Sequence, residues 1–363
     1  MTERSAYIDN LKGILISLVV IGHLISYMEI SGSQIPNVIS NYIYLFHMPF
    51  FIFLSGLFVA RTYEKNAWEG QIASASTFLI LYIFFRLASA IVNYLCGKSV
   101  DLNLFYSSTG AWYLLALSGF VAISPIISKL KFRFAMLIAL ALSVANTLCN
   151  NDVSFLASSR FFTYLPWFVL GYSVTGKRVI EWRSKLRDSP VNIEISISLL
   201  ALTLLTIIGI SAYLIYPYKI SGLIRQLSTG QHTITDIKWV FGLKDASMLV
   251  LLAIIRIAHY VPVGIVCLCV AILCPKGSTP LTRWGRNSLQ VYIVHLLILY
   301  AINGTIGLSK LLSSIGINGA IWEIAFPIAG GLALTALLAI PDFPNKWVAR
   351  LKCTISSTLI AKN

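Results

Sequence analysis

The chain has 363 residues, of which 57% are hydrophobic and only 12% charged, with a mean hydropathy of +0.79. Soluble globular chains carry about 25% charged residues, so these figures exclude a soluble domain, a disordered chain and a disulfide-framed secreted module. An integral membrane protein is left, and its formal net charge of +14 needs a place. The basic residues form no patch beside stacked aromatics, which argues against a nucleic-acid partner. They lie in short groups between long apolar runs.

A membrane-spanning helix needs about 20 mostly apolar residues. In chain order the runs are 11–28, 38–60, 73–96, 111–128, 133–149, 161–176, 193–216, 246–273, 287–303 and 319–340. The expected fold is an all-α bundle of about ten transmembrane helices, a single domain over 1–363. The first run is not expected to be a cleaved signal: no small-x-small site follows it, and Asp9 and Lys12 stand where an N-cap and first turn belong. Pro262 marks the eighth run for a break or strong tilt. With both termini cytoplasmic, 19 of the 28 basic residues fall on inner segments and 7, Arg160 among them, on outer ones, while Arg86 and Arg256 lie within spans. This positive-inside bias supports that orientation. The long outer loop, 217–245, is expected to form a lid or short surface helices. The six cysteines read as small apolar fillers. No metal site is expected, because Cys267 and Cys269 lack zinc-ligand spacing.

Ionisable groups inside spans mark functional candidates. In the first span, Lys12 and His23 are eleven residues apart, which puts both on one helix face about 16 Å apart along the axis. Lys12 then sits at the cytoplasmic mouth and His23 deep toward the outer side. Imidazole exchanges a proton near neutral pH, as a general base requires. A snorkelling lysine and a packing histidine would also fit. In the second span His47 precedes Pro49, whose ring disturbs the carbonyl of Leu45. His47 either satisfies that kink or joins His23 at similar depth. Ser55-Gly56 permits close helix approach. In the ninth span Arg286, followed by Asn287, stands at the inner face, with His295 about 13 Å further in, repeating the basic-plus-His arrangement. Glu323 and Arg86 are further intramembrane charges, expected to pair with each other or with a histidine. No P-loop, dinucleotide fingerprint or nucleophile elbow is present.

Tyr7-Ile8-Asp9-Asn10-Leu11-Lys12-Gly13-Ile14 with Val19-Val20-Ile21-Gly22-His23 resembles the opening of the acyltransferase 3 family, membrane enzymes that O-acylate sugars. Phe46-His47-Met48-Pro49 through Gly56, Ala111-Trp112-Tyr113-Leu114, Phe161-Phe162 through Tyr172, and Gly285-Arg286-Asn287-Ser288-Leu289 through His295 resemble its later segments, in order. The Lys form of the first motif, where the family usually has Arg, looks most like the fucose 4-O-acetylase-like branch. A lysine there lacks the bidentate fork and acts as a point charge. Family members often cluster arginines after the second span; here Arg61 and Lys65 stand near Glu64 and Glu69.

The resemblance implies transfer of an acetyl group from acetyl-CoA to a hydroxyl of a cell-surface or lipid-linked carbohydrate, in the bilayer of the bacterial inner membrane. His23 is then the catalytic histidine, either general base or transient acetyl carrier, and Lys12 its paired cation. CoA anionic groups would lie near Lys12, Arg61 and Arg286, and His47 or His295 would donate to the oxyanion. Asp9, Ser55, Trp112, Asn287 and Glu323 would support the site. A proton-coupled glycan or lipid transporter uses the same buried groups, and a binding protein on a degenerate fold of this type is a third alternative.

Overall fold

The computed structural model describes residues 5–28, 35–63, 68–106, 110–148, 155–174, 176–188, 191–215, 227–230, 247–316, 319–341 and 343–360. Its helices are α1 Ala6–Tyr27, α2 Ile35–Tyr63, α3 Trp68–Leu95, α4 Trp112–Lys129, α5 Phe132–Leu148, α6 Ser158–Ser173, α7 Gly176–Asp188, α8 Val191–Ile215, α9 Ser247–Leu273, α10 Pro280–Arg286, α11 Ser288–Thr305, α12 Leu308–Ser314, α13 Ala320–Leu338 and α14 Phe343–Ile360. Each expected span falls on one of them. Seven (α1, α2, α3, α4, α9, α11 and α13) are long and apolar enough to cross a membrane. The protein is an all-α, multi-pass membrane protein. Pro262 does not break α9, which runs continuously from Ser247 to Leu273; the missing N–H removes one ladder bond, and the turns on either side carry the helix through.

The first helix is the centre of the bundle, packed against α2, α10, α11 and α13. It is apolar on most sides, and Leu11, Leu15, Ile16 and Val20 are fully buried, as expected of a helix surrounded by others. Two glycine pairs set the closest helix contacts. A Cβ on Gly285 would stand 1.8 Å from the Asp9 carbonyl oxygen, and one on Gly13 would stand 2.2 Å from that of Leu281, so α1 and α10 touch backbone to backbone. Likewise a Cβ on Gly56 would meet the Phe168 carbonyl at 2.3 Å, and one on Gly171 the Phe53 carbonyl at 1.9 Å, which binds α2 to α6.

The start of α1 docks by side chains as well. Tyr7 donates to the Ala271 carbonyl at 2.7 Å. Asn10, fully buried, donates to the carbonyls of Pro275 and Gly277 and accepts from Thr279 and Thr282, so all its bonding capacity is used. Asp9 is not an N-cap: α1 begins at Ala6 behind Ser5. Asp9 is buried and accepts from Arg286 Nε at 3.3 Å.

Arg86 does not pair with Glu323. It reaches out of α3 to the Asp101 carboxylate at 3.0 Å and the Asn103 carbonyl at 2.8 Å, because the 101–103 loop brings both to the helix end. The Asn103 backbone N–H, and then Arg86, hold the Asp101 carboxyl below its ordinary range. A depressed carboxylate stabilises the fold at neutral pH, and that contribution fades as the pH falls through its folded-state pKa. Asp101 is largely exposed, so we expect Asp101→Asn to cost under about 1 kcal/mol at pH 7. Melting curves should show that gap closing under acid conditions.

Of the expected outer loop 217–245, residues 227–230 are described. Arg256, fully buried in α9, donates to the Leu227 carbonyl and to Thr147. Tyr164 donates to the Ser228 carbonyl at 2.5 Å. This short segment is therefore pinned across α5, α6 and α9.

Candidate active site

Lys12, Val19, His23 and Ser26 recur at helical spacing on one face of α1. Two cavities lie along that face and share Val19, Met48 and Tyr292 as their common wall. The first has a volume of about 240 Å³ and a mostly apolar lining from α1, α2, α3, α4 and α11, with Lys12 at its edge. Lys12 Nζ lies 5.2 Å from the centroid of the Phe58 ring, a cation–π distance. Ser55 also lines it. Its hydroxyl donates to the Phe51 carbonyl at 2.8 Å, so at 2.9 Å it accepts from Tyr113.

The second cavity, about 380 Å³, is the more polar of the two. His23, His47, Trp112, Arg160 and several tyrosines line it, and among the described residues no Asp or Glu does. Thr229 from the pinned segment also contributes to its wall.

His23 Nδ1 stands 2.9 Å from His295 Nε2, with the rings only 13° from parallel. The other nitrogen of His295, Nδ1, lies 2.7 Å from the Val291 carbonyl. A carbonyl only accepts, so His295 Nδ1 carries the proton. In the neutral pair, His295 Nε2 must then accept, and His23 Nδ1 must donate. That leaves His23 Nε2 with its lone pair free. The fully buried His295 thus fixes the tautomer of His23. His47 is likewise fixed by its own helix: Nδ1 donates to the Ile43 carbonyl at 2.6 Å, a group that Pro49 does not affect. Its Nε2 in the neutral form is an acceptor.

Arg160 was not legible as a site residue. It lies in the first turn of α6, 6% exposed, with its guanidinium carbon 4.8 Å above the Trp112 ring. The signal was present: Arg160, Thr163, Tyr164 and Trp167 share the inward face of α6, so Arg160 is a lining residue and not an outer-loop charge.

Other expected residues stand apart. Arg286 ends α10 and His295 lies in α11, with Asn287 at the break between them, so one helix does not carry both. Arg286 pairs with Asp9 and lines neither cavity. Asn287 donates to the Ala339 carbonyl at 2.7 Å and anchors the end of α13. Glu323 is half-buried in the first turn of α13, away from both cavities, and its Oε2 has no hydrogen-bond partner. The Arg61 side chain lies outside the described residues. Among the described residues no group of three or more His, Cys, Asp or Glu is placed to hold a metal.

A family model described as an acyltransferase domain matches residues 5–340. Nodulation protein NolL of Mesorhizobium japonicum is 25% identical over 195 residues, 50% of this chain and 52% of its own length. The chain thus spans about half of that curated relative. No solved structure matches. With a match across almost the whole helical bundle, the two cavities included, the chain belongs to the acyltransferase 3 family.

Proposed function

We propose that this protein moves an acetyl group from acetyl-CoA to a sugar hydroxyl, with His23 as the base. The observation that carries this reading is the pair of cavities meeting at one wall on the His23 face of α1. The apolar cavity suits a pantetheine arm, and Lys12 at its edge suits a phosphate. The polar chamber, lined by hydroxyls and rings, suits a carbohydrate. With the N-terminus cytoplasmic, donor and acceptor would reach this wall from opposite sides of the bacterial inner membrane. The Lys form of the first motif directs the reading toward the fucose 4-O-acetylase-like branch.

In the transfer, the acceptor hydroxyl donates to His23 Nε2 and its oxygen attacks the thioester carbonyl. His23 takes the hydroxyl proton, the C–S bond breaks, and the proton passes to the departing CoA sulfur. The same free Nε2 would serve if the acetyl group stopped on His23 first. His295 keeps His23 in the required tautomer throughout.

Two variants test these roles. Lys12→Ala is expected to raise the KM for acetyl-CoA about tenfold, the loss of one charge–phosphate contact of about 1.4 kcal/mol, while kcat changes little. His295→Ala is expected to lower kcat about 10–100-fold, with His295→Gln restoring part of it through its carbonyl acceptor. Thiol release from acetyl-CoA in the presence of acceptor reads both. An unchanged KM in the first, or an unchanged kcat in the second, counts against the assigned role.

A further inference from the structure

We infer that Arg160 is the receptor for an anionic group on the acceptor, a carboxylate or phosphate carried close to the hydroxyl that is modified. This rests on the reading of the polar chamber as the acceptor site. The fold gives its other buried arginines partners. Arg256 has Thr147 and the Leu227 carbonyl. Arg86 has the Asp101 carboxylate and two carbonyls. Arg160 is buried too, yet it makes no hydrogen bond or ion pair with any described residue, and its Nη1 is buried without a partner. Its guanidinium lies over the Trp112 ring, near Tyr164, Tyr292 and Tyr44.

A buried charge without a counter-charge is costly, and proteins normally pair it. A cation–π contact offsets only part of that cost. Among the described residues the chamber supplies no acid: its lining holds no Asp or Glu. A ligand anion would fill the gap, and a guanidinium recognises carboxylate and phosphate through two parallel bonds. The donor's phosphates are poor candidates for this role. They belong with Lys12, which lines the other cavity, beyond the wall of Val19, Met48 and Tyr292. An acceptor in the chamber would reach Arg160 and His23 together, since both line it. Arg160 would then select the acceptor and fix which hydroxyl faces His23.

The test is equilibrium binding to the purified full chain in nanodiscs, without acetyl-CoA, by isothermal titration. Three probes share one sugar ring: methyl glucoside, methyl glucuronoside and glucose 1-phosphate. The wild type is expected to bind at least one charged probe tenfold or more tighter than the neutral one, and the better of the two identifies the anion as carboxylate or phosphate. Arg160→Gln should level all three, and Arg160→Lys should keep part of the preference. Equal affinity of the wild type for charged and neutral probes overturns the proposal without any variant. So does a preference that survives Arg160→Gln. In turnover, Arg160→Gln should raise the KM of a charged acceptor, and an unchanged KM also overturns the proposal. Binding is read without acetyl transfer, so failure of the acetyltransferase reading would leave a separate mark.

Discussion

His23→Asn should lower kcat for acetyl transfer about a thousandfold in a protein that still folds. A positioned base supplies about 10²–10⁴-fold, and His23 Nε2 has its lone pair free on the cavity side of the pair, with Nδ1 held by His295 at 2.9 Å. Asparagine keeps an amide donor for His295 Nε2 but cannot take a proton, so the variant separates the base from its packing. His23→Ala should show a similar loss, with His295 left without its donor. The measurement is thiol release at saturating acetyl-CoA, on fractions that elute as folded protein. Activity within tenfold of wild type would remove His23 from the chemistry.

Gly285→Ala should be the most damaging small substitution in the bundle, at about 3 kcal/mol or more, the upper end for forcing a methyl group into a packed contact. The added Cβ would lie 1.8 Å from the Asp9 carbonyl oxygen and 2.9 Å from the Gly13 nitrogen. Both are backbone, so neither can turn away. The start of α1 must lift from α10, which pulls on the Arg286–Asp9 pair and on the four bonds of Asn10. Lys12 rides on the same turn, so loss of donor affinity should accompany loss of stability. Gly277→Ala is the control, since nothing lies within 4 Å of its Cβ position. Thermal unfolding in one detergent should separate the two variants clearly. Equal midpoints would mean that the α1–α10 contact is softer than its geometry implies.

Both predictions use residues from segments that the sequence picked out: His23 in the role its spacing implied, Gly285 through backbone packing instead. The helical spans were legible because a bilayer demands long apolar runs, and each expected span falls on a helix. The face shared by Lys12 and His23 was legible because α1 runs unbroken through both. Arg286 was expected at the site as the basic residue below His295 on one helix, and Asp9 and Asn287 as supporting residues of the family-like segments. In the structure they tie α1, α10 and α13 together. That role depends on contacts between residues 277 and 52 positions apart in sequence, which periodicity within one helix cannot reveal. The same limit hid the His23–His295 bond, where two histidines expected to act separately become one unit. It also hid Arg160. Counting charges by side placed Arg160 in an outer segment, whereas α6 begins early enough to turn it inward. The short helices α7, α10, α12 and α14 were missed because two are only seven residues long and the other two carry too much charge to read as spans.

The central claim is that an acetyl group leaves its donor at the Lys12 end and reaches its acceptor in the His23 chamber. Proteoliposomes with one orientation of the protein test it most directly. Acetyl-CoA labelled on the acetyl group is supplied to the Lys12 side only, and oligosaccharides released from the cell envelope to the other side. The account predicts labelled acetyl esters on the far-side sugar, with an equal amount of free CoA thiol on the near side and none of either with His23→Asn. Sugar crossing the membrane unlabelled, with no CoA thiol released, would contradict it and make the buried histidines part of a transport pathway.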